Sequence, residues 1–287
     1  MSKTKFIKQA AILAIASLLV RLLGFLYRLP LTNMLGDEGN GIYSAGFYLY
    51  NFFLVMSWAG LPAAISKIVS EKVALEEYRN VKKTFKISLI LSSTVGLIFS
   101  IVMFVSARFF CNIIGSPDSY YTILTLSPTV FIVSVMSVFR GYFQGLGTTV
   151  PTALSQVIEQ IFNAIFSIYL AYLLVGISLP LGAAGGTMGT GIGALAGLIY
   201  ILMVFLNRKR YINRKLSKKT HKYRLESNRE IAIKIIKTAA PIIAGTAIFS
   251  MTNLIDMQMV NSRLTASKAF TDSQVTALYG QLTGKYV

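Results

Sequence analysis

Seven stretches of the chain are apolar over about twenty residues or more, and shorter polar segments separate them. A helix rises about 1.5 Å per residue and the hydrocarbon core of a bilayer is about 30 Å thick, so about 20 apolar residues are enough to cross it. The pattern therefore predicts an all-α polytopic membrane protein with about seven transmembrane helices. The predicted spans cover residues 8–29, 42–65, 87–107, 119–143, 152–175, 181–206 and 234–260.

The charges between the spans are distributed unevenly. The N-terminus, the 66–86 loop, Arg140 and the 207–237 segment hold 22 of the 28 Lys and Arg residues. All of these lie on one side of the membrane, whose net charge is +17, whereas the charges on the other side sum to zero. Lys and Arg are enriched in cytoplasmic loops. The sequence thus predicts a cell-membrane protein with a cytoplasmic N-terminus and a seventh span that ends outside.

The composition excludes several classes of protein. Of the 287 residues, 54% are hydrophobic and 14% are charged, whereas an average soluble domain carries about 25% charged residues. A soluble enzyme is therefore excluded. The single Cys111 and the single His221 provide neither a disulfide nor a Cys/His metal site. Since no acid/base pair or carboxylate cluster appears either, we expect no enzymatic activity, no metal and no cofactor.

The basic segment around 208–237 raises the question of nucleic acid. A nucleic-acid surface would interleave aromatic residues with the charges, and this segment offers only Tyr211 and Tyr223. We predict no nucleic-acid partner. A cytoplasmic loop that sets the topology and contacts anionic lipid headgroups explains the charges better.

An internal repeat suggests how the spans are grouped. Residues 7–17 read IKQAAILAIAS and residues 236–246 read IKTAAPIIAGT, each at the cytoplasmic start of a span. Parallel repeats of this kind are a common transporter plan. We predict a six-helix N-terminal lobe over 1–206, a basic linker over 207–233, and the first helix of a second lobe with an outer segment over 234–287. A lone first helix would lack packing partners, so we expect the native protein to continue.

Two arginines lie inside the first span. A charge at membrane depth costs at least about 2.5 kcal/mol and usually faces a partner or a cavity. Arg21 and Arg28 are seven residues apart and share a helix face with Gly24. This stripe favours a cavity for an anionic group such as pyrophosphate. The alternative, stronger for Arg28 than for the deeper Arg21, is that the side chain reaches the outer headgroups.

The fifth span carries a polar face at helical spacing, which a lipid-exposed helix would not have. That face consists of Thr152, Gln156, Glu159, Gln160, Asn163 and Ser167. It lines an aqueous cavity or packs against a neighbouring helix. For Glu159 a structural ion pair with Arg140, across the short 144–151 turn, is an equal alternative.

Two further features concern later spans. Asp256, near the outer end of span seven, is a candidate coupling-ion site, a candidate partner for an arginine of span one, or a solvated boundary residue. The sixth span begins with GAAGGTMGTGIGALAG at 182–197. Its glycines at four-residue spacing predict close helix packing.

Five segments together resemble a known family. They are VRLLGFLYR at 20–28, LGDEGNGIY at 35–43, GLPAAISKIVSE at 60–71, FRGYFQG at 139–145 and SQVIEQ at 155–160. In order along the chain they are similar to the polysaccharide-transporter branch of the MOP (MATE-like) exporters, which includes stage V sporulation protein B-like and MurJ-like lipid II flippases. The resemblance implies a MATE-like fold with two six-helix lobes around a central cavity.

The resemblance also implies roles for particular residues. In the MurJ-like members, arginines of the first helix and an acidic residue after it are implicated in the site for the lipid-linked sugar pyrophosphate. Arg21 matches the first arginine, Arg28 stands one residue beyond the second, and Asp37 lies near the acidic position. The second span has no arginine here.

The expected function is a flippase or exporter of a lipid-linked cell-wall sugar precursor that works by alternating access. The expected substrate site consists of Arg21, Gly24, Arg28, Asp37, Gln156, Glu159, Gln160 and Asn163. One alternative is a cation-coupled drug or metabolite antiporter of the same fold, which would rely on intramembrane carboxylates. The other is a non-transporting membrane scaffold for wall synthesis.

Overall fold

The computed structural model describes residues 3–217 and 223–284, with side chains at 7–208 and 223–284. Within these ranges the chain is helical apart from short connections. The helices are α1 (Lys3–Trp58), α2 (Leu61–Ala74), α3 (Tyr78–Val105), α4 (Ala107–Ile114), α5 (Tyr120–Gly145), α6 (Val150–Val175), α7 (Leu179–Ser217), α8 (Asn228–Ala266) and α9 (Asp272–Gly284), with a 3-10 turn (Pro117–Ser119) before α5. The middle of the predicted basic linker, 209–222, lies outside the described side chains.

Six helical stretches of the described chain are long and apolar enough to cross a membrane. Five of them, built on α3, α5, α6, α7 and α8, correspond to the third to seventh predicted spans. The remaining stretch, Ile7–Ala74, has 68 residues and contains the first two predicted spans. The prediction of an all-α polytopic membrane protein is confirmed.

The turn between the first two spans differs from the expected loop. α1 runs through it, and only Gly36 leaves the helical conformation, with φ 64° and ψ −174°. Glycine reaches this conformation without the steric cost that a Cβ would add. A straight helix of 56 residues would be about 84 Å long, far beyond the membrane thickness, so the break at Gly36 allows α1 to turn back.

The connections between the helices lie at two ends of the bundle. The basic end contains residues 66–86, 144–151 and 223–237, and the far end contains 30–41, 106–119 and 261–284. At the basic end, the amide of Thr149 donates to Gln9 Oε1 (2.7 Å), which fixes the start of α1. At the far end, Asn261 of α8 donates to the carbonyl of Ile114 (3.0 Å).

Helix α9 was not predicted, because the 261–287 segment was expected only as an outer extension. Its start carries a capping arrangement, in which Thr271 N donates to Gln274 Oε1 (2.9 Å) and Gln274 N donates to Thr271 Oγ1 (3.4 Å). This is the T-x-x-Q signature of a helix N-terminus, and it was available in the sequence. α9 packs against α1 so closely that a Cβ at Gly280 would overlap the backbone of Asp37.

The glycines of α7 pack directly on α6, as predicted. A Cβ at Gly185 would lie 2.6 Å from the carbonyl oxygen of Leu170. At Gly189 it would overlap the backbone and side chain of Ser167, and at Gly193 the carbonyl of Glu159. The backbones of α6 and α7 therefore approach as closely as small residues permit. We call this contact the glycine seam; it consists of Gly182, Gly185, Gly189, Gly193 and Gly197.

We expect Gly189→Val to destabilise the bundle, because the new side chain collides with the backbone of α6. Overpacking typically costs about 1–3 kcal/mol, so the apparent Tm in detergent should fall by roughly 3–10 °C. Gly245→Val is the matched control, since no atom lies within 4 Å of a Cβ at this helical glycine of α8. Equal Tm values for the two variants would contradict the importance of the seam.

Candidate substrate-binding site

The first half of α1 faces the polar side of α6. A Cβ on Gly24 would lie 3.3 Å from Gln160 Nε2, so this glycine admits the amide against the helix. One turn further along, Tyr27 Oη accepts a long hydrogen bond (3.5 Å) from Asn163 Nδ2. The structure thus brings together Gly24, Gln160 and Asn163, three of the predicted site residues.

Asn163 is held by α6 and α7. Its Oδ1 atom lies 2.8 Å from Ser167 Oγ and accepts from Thr190 Oγ1 (3.3 Å). Ser167 Oγ is also 2.7 Å from the carbonyl oxygen of Gly186. These contacts occupy the amide oxygen and direct the NH₂ group of Asn163 towards α1. Thr190 and Tyr27 were missed as site residues, although Tyr27 lies within the VRLLGFLYR segment and one turn from Gly24.

Glu159 forms the structural ion pair that the sequence left as an alternative. Arg140 Nη2 lies 2.6 Å from Glu159 Oε2, and Arg140 Nε donates to Ser155 Oγ (3.0 Å). The Arg140 side chain is 9% exposed and the Glu159 side chain 26%. The pair joins α5 to α6 on both sides of the short turn, and it neutralises the carboxylate of Glu159 within the bundle.

The two arginines of α1 have different surroundings. Arg28 donates from Nη2 to the carbonyl oxygen of Thr283 in α9 (2.9 Å), so a protein contact holds its guanidinium. The side chain of Arg21 is exposed and forms no ion pair with the described residues. Seven residues of helix separate the two arginines by about 10 Å along one face.

The remaining predicted site residues are dispersed. Asp37 lies at the far end, where it accepts from Gln281 Nε2 (2.7 Å). The Oε1 atom of Gln156 is buried in the described structure and has no hydrogen-bond partner there. Asp256 is exposed on α8 and forms no ion pair with Arg21 or Arg28 among the described residues. The suggested pairing of Asp256 with an arginine of span one is therefore not formed.

The arrangement offers donors rather than acids. The amide of Gln160 and the phenol of Tyr27 lie at the contact between α1 and α6, and Arg21 is exposed one turn before Gly24 on α1. The carboxylate of Glu159 is occupied by Arg140. Guanidinium and amide groups bind phosphate oxygens and sugar hydroxyls. Within the described residues, no group of three or more His, Cys, Asp or Glu side chains is arranged to hold a metal.

Comparison with known proteins finds one matching family and related membrane proteins of Bacillus subtilis. The family model described as "Polysaccharide biosynthesis protein" matches residues 6–286. Stage V sporulation protein B of Bacillus subtilis is 29% identical over 99% of this chain and 54% of its own length. Lipid II flippase MurJ of the same organism is 27% identical over 91% of this chain and 50% of its own length. The chain thus spans about half the length of these relatives.

Solved structures show the same fold. A MATE transporter in the straight conformation superposes with a TM-score of 0.73 at 18% identity, over 98% of this chain and 59% of its own. A MOP superfamily transporter from Pyrococcus furiosus superposes with a TM-score of 0.68 at 19% identity, over 96% of this chain and 62% of its own. At these identities the likeness establishes the MATE-like fold.

We expect the Arg140–Glu159 pair to stabilise the bundle through mutual neutralisation. Arg140→Gln and Glu159→Gln should each lower the free energy of unfolding by about 1–3 kcal/mol, because each leaves a charge in a half-buried site without its partner. In the double variant, the free energy of unfolding should fall by less than the sum of the decreases in the two single variants. Thermal unfolding in detergent measures this cycle.

The control for this cycle is the pair Arg224–Glu230, whose side chains are 83% and 40% exposed. Surface pairs of this kind contribute little, so Arg224→Gln should leave the Tm unchanged. Strict additivity of the Arg140 and Glu159 variants would show that the pair does not stabilise the bundle.

Proposed function

The chain belongs to the polysaccharide biosynthesis protein family, and from this membership and the site we propose that it forms the first lobe of a flippase for a lipid-linked cell-wall sugar precursor. The observation that carries the proposal is Arg21, an exposed arginine of α1 that lies one turn before Gly24, which contacts Gln160 of α6. The names of the relatives support the same class, since one is a lipid II flippase.

The proposed substrate has an apolar part and a polar part, which favour different surroundings. The polyprenyl tail favours the bilayer by about 0.8 kcal/mol per buried CH₂, so it has no reason to leave the lipid. The pyrophosphate and the sugars are polar and need a lined path across the membrane. Arg21 would contact the pyrophosphate, while Gln160 and Tyr27 would offer hydrogen bonds to the sugar.

Alternating access would move this head group across the membrane. The polar face between α1 and α6 would open in turn to each end of the bundle, as the second lobe rocks against the first. We assign Arg21, Gly24, Gln160 and Asn163 to the substrate face, with Gln156 beside them. Arg28 and Asp37 would act at the far end, where both now contact α9. Asp256 stays a candidate site for a coupling ion.

The charge distribution supports an orientation with the basic end in the cytoplasm. Arg79, Lys82, Lys86, Arg229 and Lys237 are all exposed there. Anionic lipids give the cytoplasmic leaflet a negative surface potential, which attracts such residues by about 1 kcal/mol each. We therefore also propose anionic membrane lipids as partners of this end.

A test of the orientation uses two exposed serines. In intact cells, a cysteine introduced by Ser262→Cys at the far end should react with an impermeant thiol reagent, and one introduced by Ser70→Cys at the basic end should react only after permeabilisation. The native Cys111 is 2% exposed and gives a low background. The reverse labelling pattern would overturn the orientation.

A test of the function uses Arg21. We expect Arg21→Gln to reach the membrane normally but to fail to restore growth in a flippase-depleted strain, when it is expressed from the native reading frame. Arg21→Lys should restore growth in part, because lysine keeps the charge but loses the bidentate contact to phosphate. Arg263→Gln removes an exposed arginine of α8 and should restore growth fully.

The alternatives predict other outcomes. A scaffold that transports nothing should tolerate Arg21→Gln, and full growth of this variant at matched expression would refute the proposed role of Arg21. A cation-coupled antiporter should instead lose function in Asp256→Asn or Glu159→Gln and keep it in Arg21→Gln.

A further inference from the structure

The start of α8 is tied to α2 and α3 by charged and polar side chains at the basic end. We call this group the basic-end cluster; it consists of Lys72, Glu77, Asn80, Lys83, Glu226 and Lys234. Its centre is Glu226, whose Oε1 atom lies 2.7 Å from Lys72 Nζ and 2.6 Å from Lys234 Nζ. Lys72 Nζ also lies 3.6 Å from Glu77 Oε2.

Lys72 is the buried cation of the cluster. Only 3% of the residue is exposed, and a buried ammonium group is costly unless it is paired. Burial alone would raise the pKa of Glu226, but hydrogen bonds from Lys234 and Lys72 and the charges of both outweigh it, so the pKa lies below its usual value. Glu226 therefore stays ionised at neutral pH and keeps the charge of Lys72 compensated.

Neutral contacts extend the tie to the backbone before α8. Asn80 Nδ2 donates to the carbonyl of Arg224 (3.1 Å), and the amide of Glu226 donates back to Asn80 Oδ1 (3.2 Å). The amide of Arg79 donates to Tyr223 Oη (2.7 Å). Ser227 then caps α8 in a reciprocal pair with Glu230. The position of α8 at this end is thus set by side chains of α2 and α3.

Beyond the cluster, α8 is only partly packed against the rest of the bundle. Ile231, Ile235 and Ala239 are buried, and Ile235 and Ala239 also line a crevice of about 150 Å³ between α8 and the neighbouring parts of α1, α2 and α3. Ile248 and Phe249, in the middle of α8, are 71% and 74% exposed. The contact of α8 with α2 and α3 is therefore concentrated in the basic-end cluster and in the first three turns of the helix.

We propose that the basic-end cluster is a latch that closes the cytoplasmic side, and that Lys72 must separate from Glu226 when this side opens. The proposal rests on the proposed function, in which α8 begins the second lobe. The Oε2 atom of Glu226 is buried in the described structure without a hydrogen-bond partner. An unsatisfied oxygen weakens the closed contact, as suits a pair that has to open and close.

The test measures opening directly. In the protein expressed from its native reading frame and purified in nanodiscs, Ile231→Cys places a thiol at a residue that is 0% exposed beneath the latch. Its reaction with a water-soluble maleimide, followed by peptide mass spectrometry, reports how often α8 separates from α2 and α3. We expect Lys72→Met to raise this rate roughly tenfold, because Glu226 loses a buried partner and only Lys234 remains.

Lys67→Met is the matched control, since Lys67 lies on the same helix with an exposed side chain and its loss should leave the rate unchanged. Glu226→Gln should raise the rate as Lys72→Met does, because either change breaks the ion pair. Cys111, buried at the far end, should stay protected in every variant. An unchanged rate in Lys72→Met would overturn the latch, and so would parallel exposure of Cys111, which would indicate general loosening.

The latch and the proposed function fail separately in these experiments. The maleimide reaction is run without substrate. Its rate therefore does not depend on whether the proposed substrate is correct. Growth with Arg21→Gln would refute the substrate site and would say nothing about the labelling rate. An unchanged labelling rate in Lys72→Met, together with failed growth in Arg21→Gln, would refute the latch and would still support the proposed flippase function.

Discussion

The close approach of α6 and α7 is the constraint on which the candidate site depends. Lipid chains are as apolar as leucine side chains, so helices in a membrane gain little from hydrophobic burial against one another and associate through close packing and hydrogen bonds. The glycine seam provides that packing, with the backbone of α7 against Ser167 and Glu159. α7 covers one side of α6 in this way, Asn163 lies at the edge of that contact, and the adjacent Gln160 faces Gly24 of α1.

The distribution of charge inside the bundle follows from this placement. Glu159, next to the seam, is paired with Arg140 of α5 and is neutralised. Arg21, on the α1 side of the same polar region, has no carboxylate partner among the described residues. A bundle that needed arginine only for packing would gain by removing or pairing it, since an uncompensated charge at membrane depth is costly. This unpaired positive charge is the basis of the proposed anionic ligand.

The sequence predicted those features that depend on local pattern. Length and hydropathy located the spans, four-residue spacing indicated the glycine seam, and the period of the helix indicated the polar face of α6. The Arg140–Glu159 pair was foreseen as an alternative because a short turn brings the two residues together. In each case the determining residues are close along the chain, where helix geometry alone relates them.

Features that depend on distant segments were not predictable in this way. Arg28 binds the carbonyl of Thr283, a residue 255 positions away, so no spacing rule connects the two. The polar 30–41 segment reads as a loop, but α9 packs against it and the helix continues to Gly36 and beyond. Lys72 looked like one of many cytoplasmic lysines, and only the fold shows that it is buried against Glu226.

The two ends of the bundle are held by different chemistry, and this difference bears on how each end opens. At the basic end, the segment before α8 is tied to α2 by the buried pair Lys72–Glu226, and the half-exposed Lys234 of α8 also contacts Glu226. At the far end, Asn261 and Ser44 use neutral hydrogen bonds, and Arg28 donates to a backbone carbonyl. Separating a buried ion pair costs free energy because each charge is left without its partner. Neutral groups that separate can form hydrogen bonds to water instead, at a small net cost in free energy. The far end should therefore open more readily, and Arg28 would meet an anionic ligand there after leaving only a carbonyl oxygen.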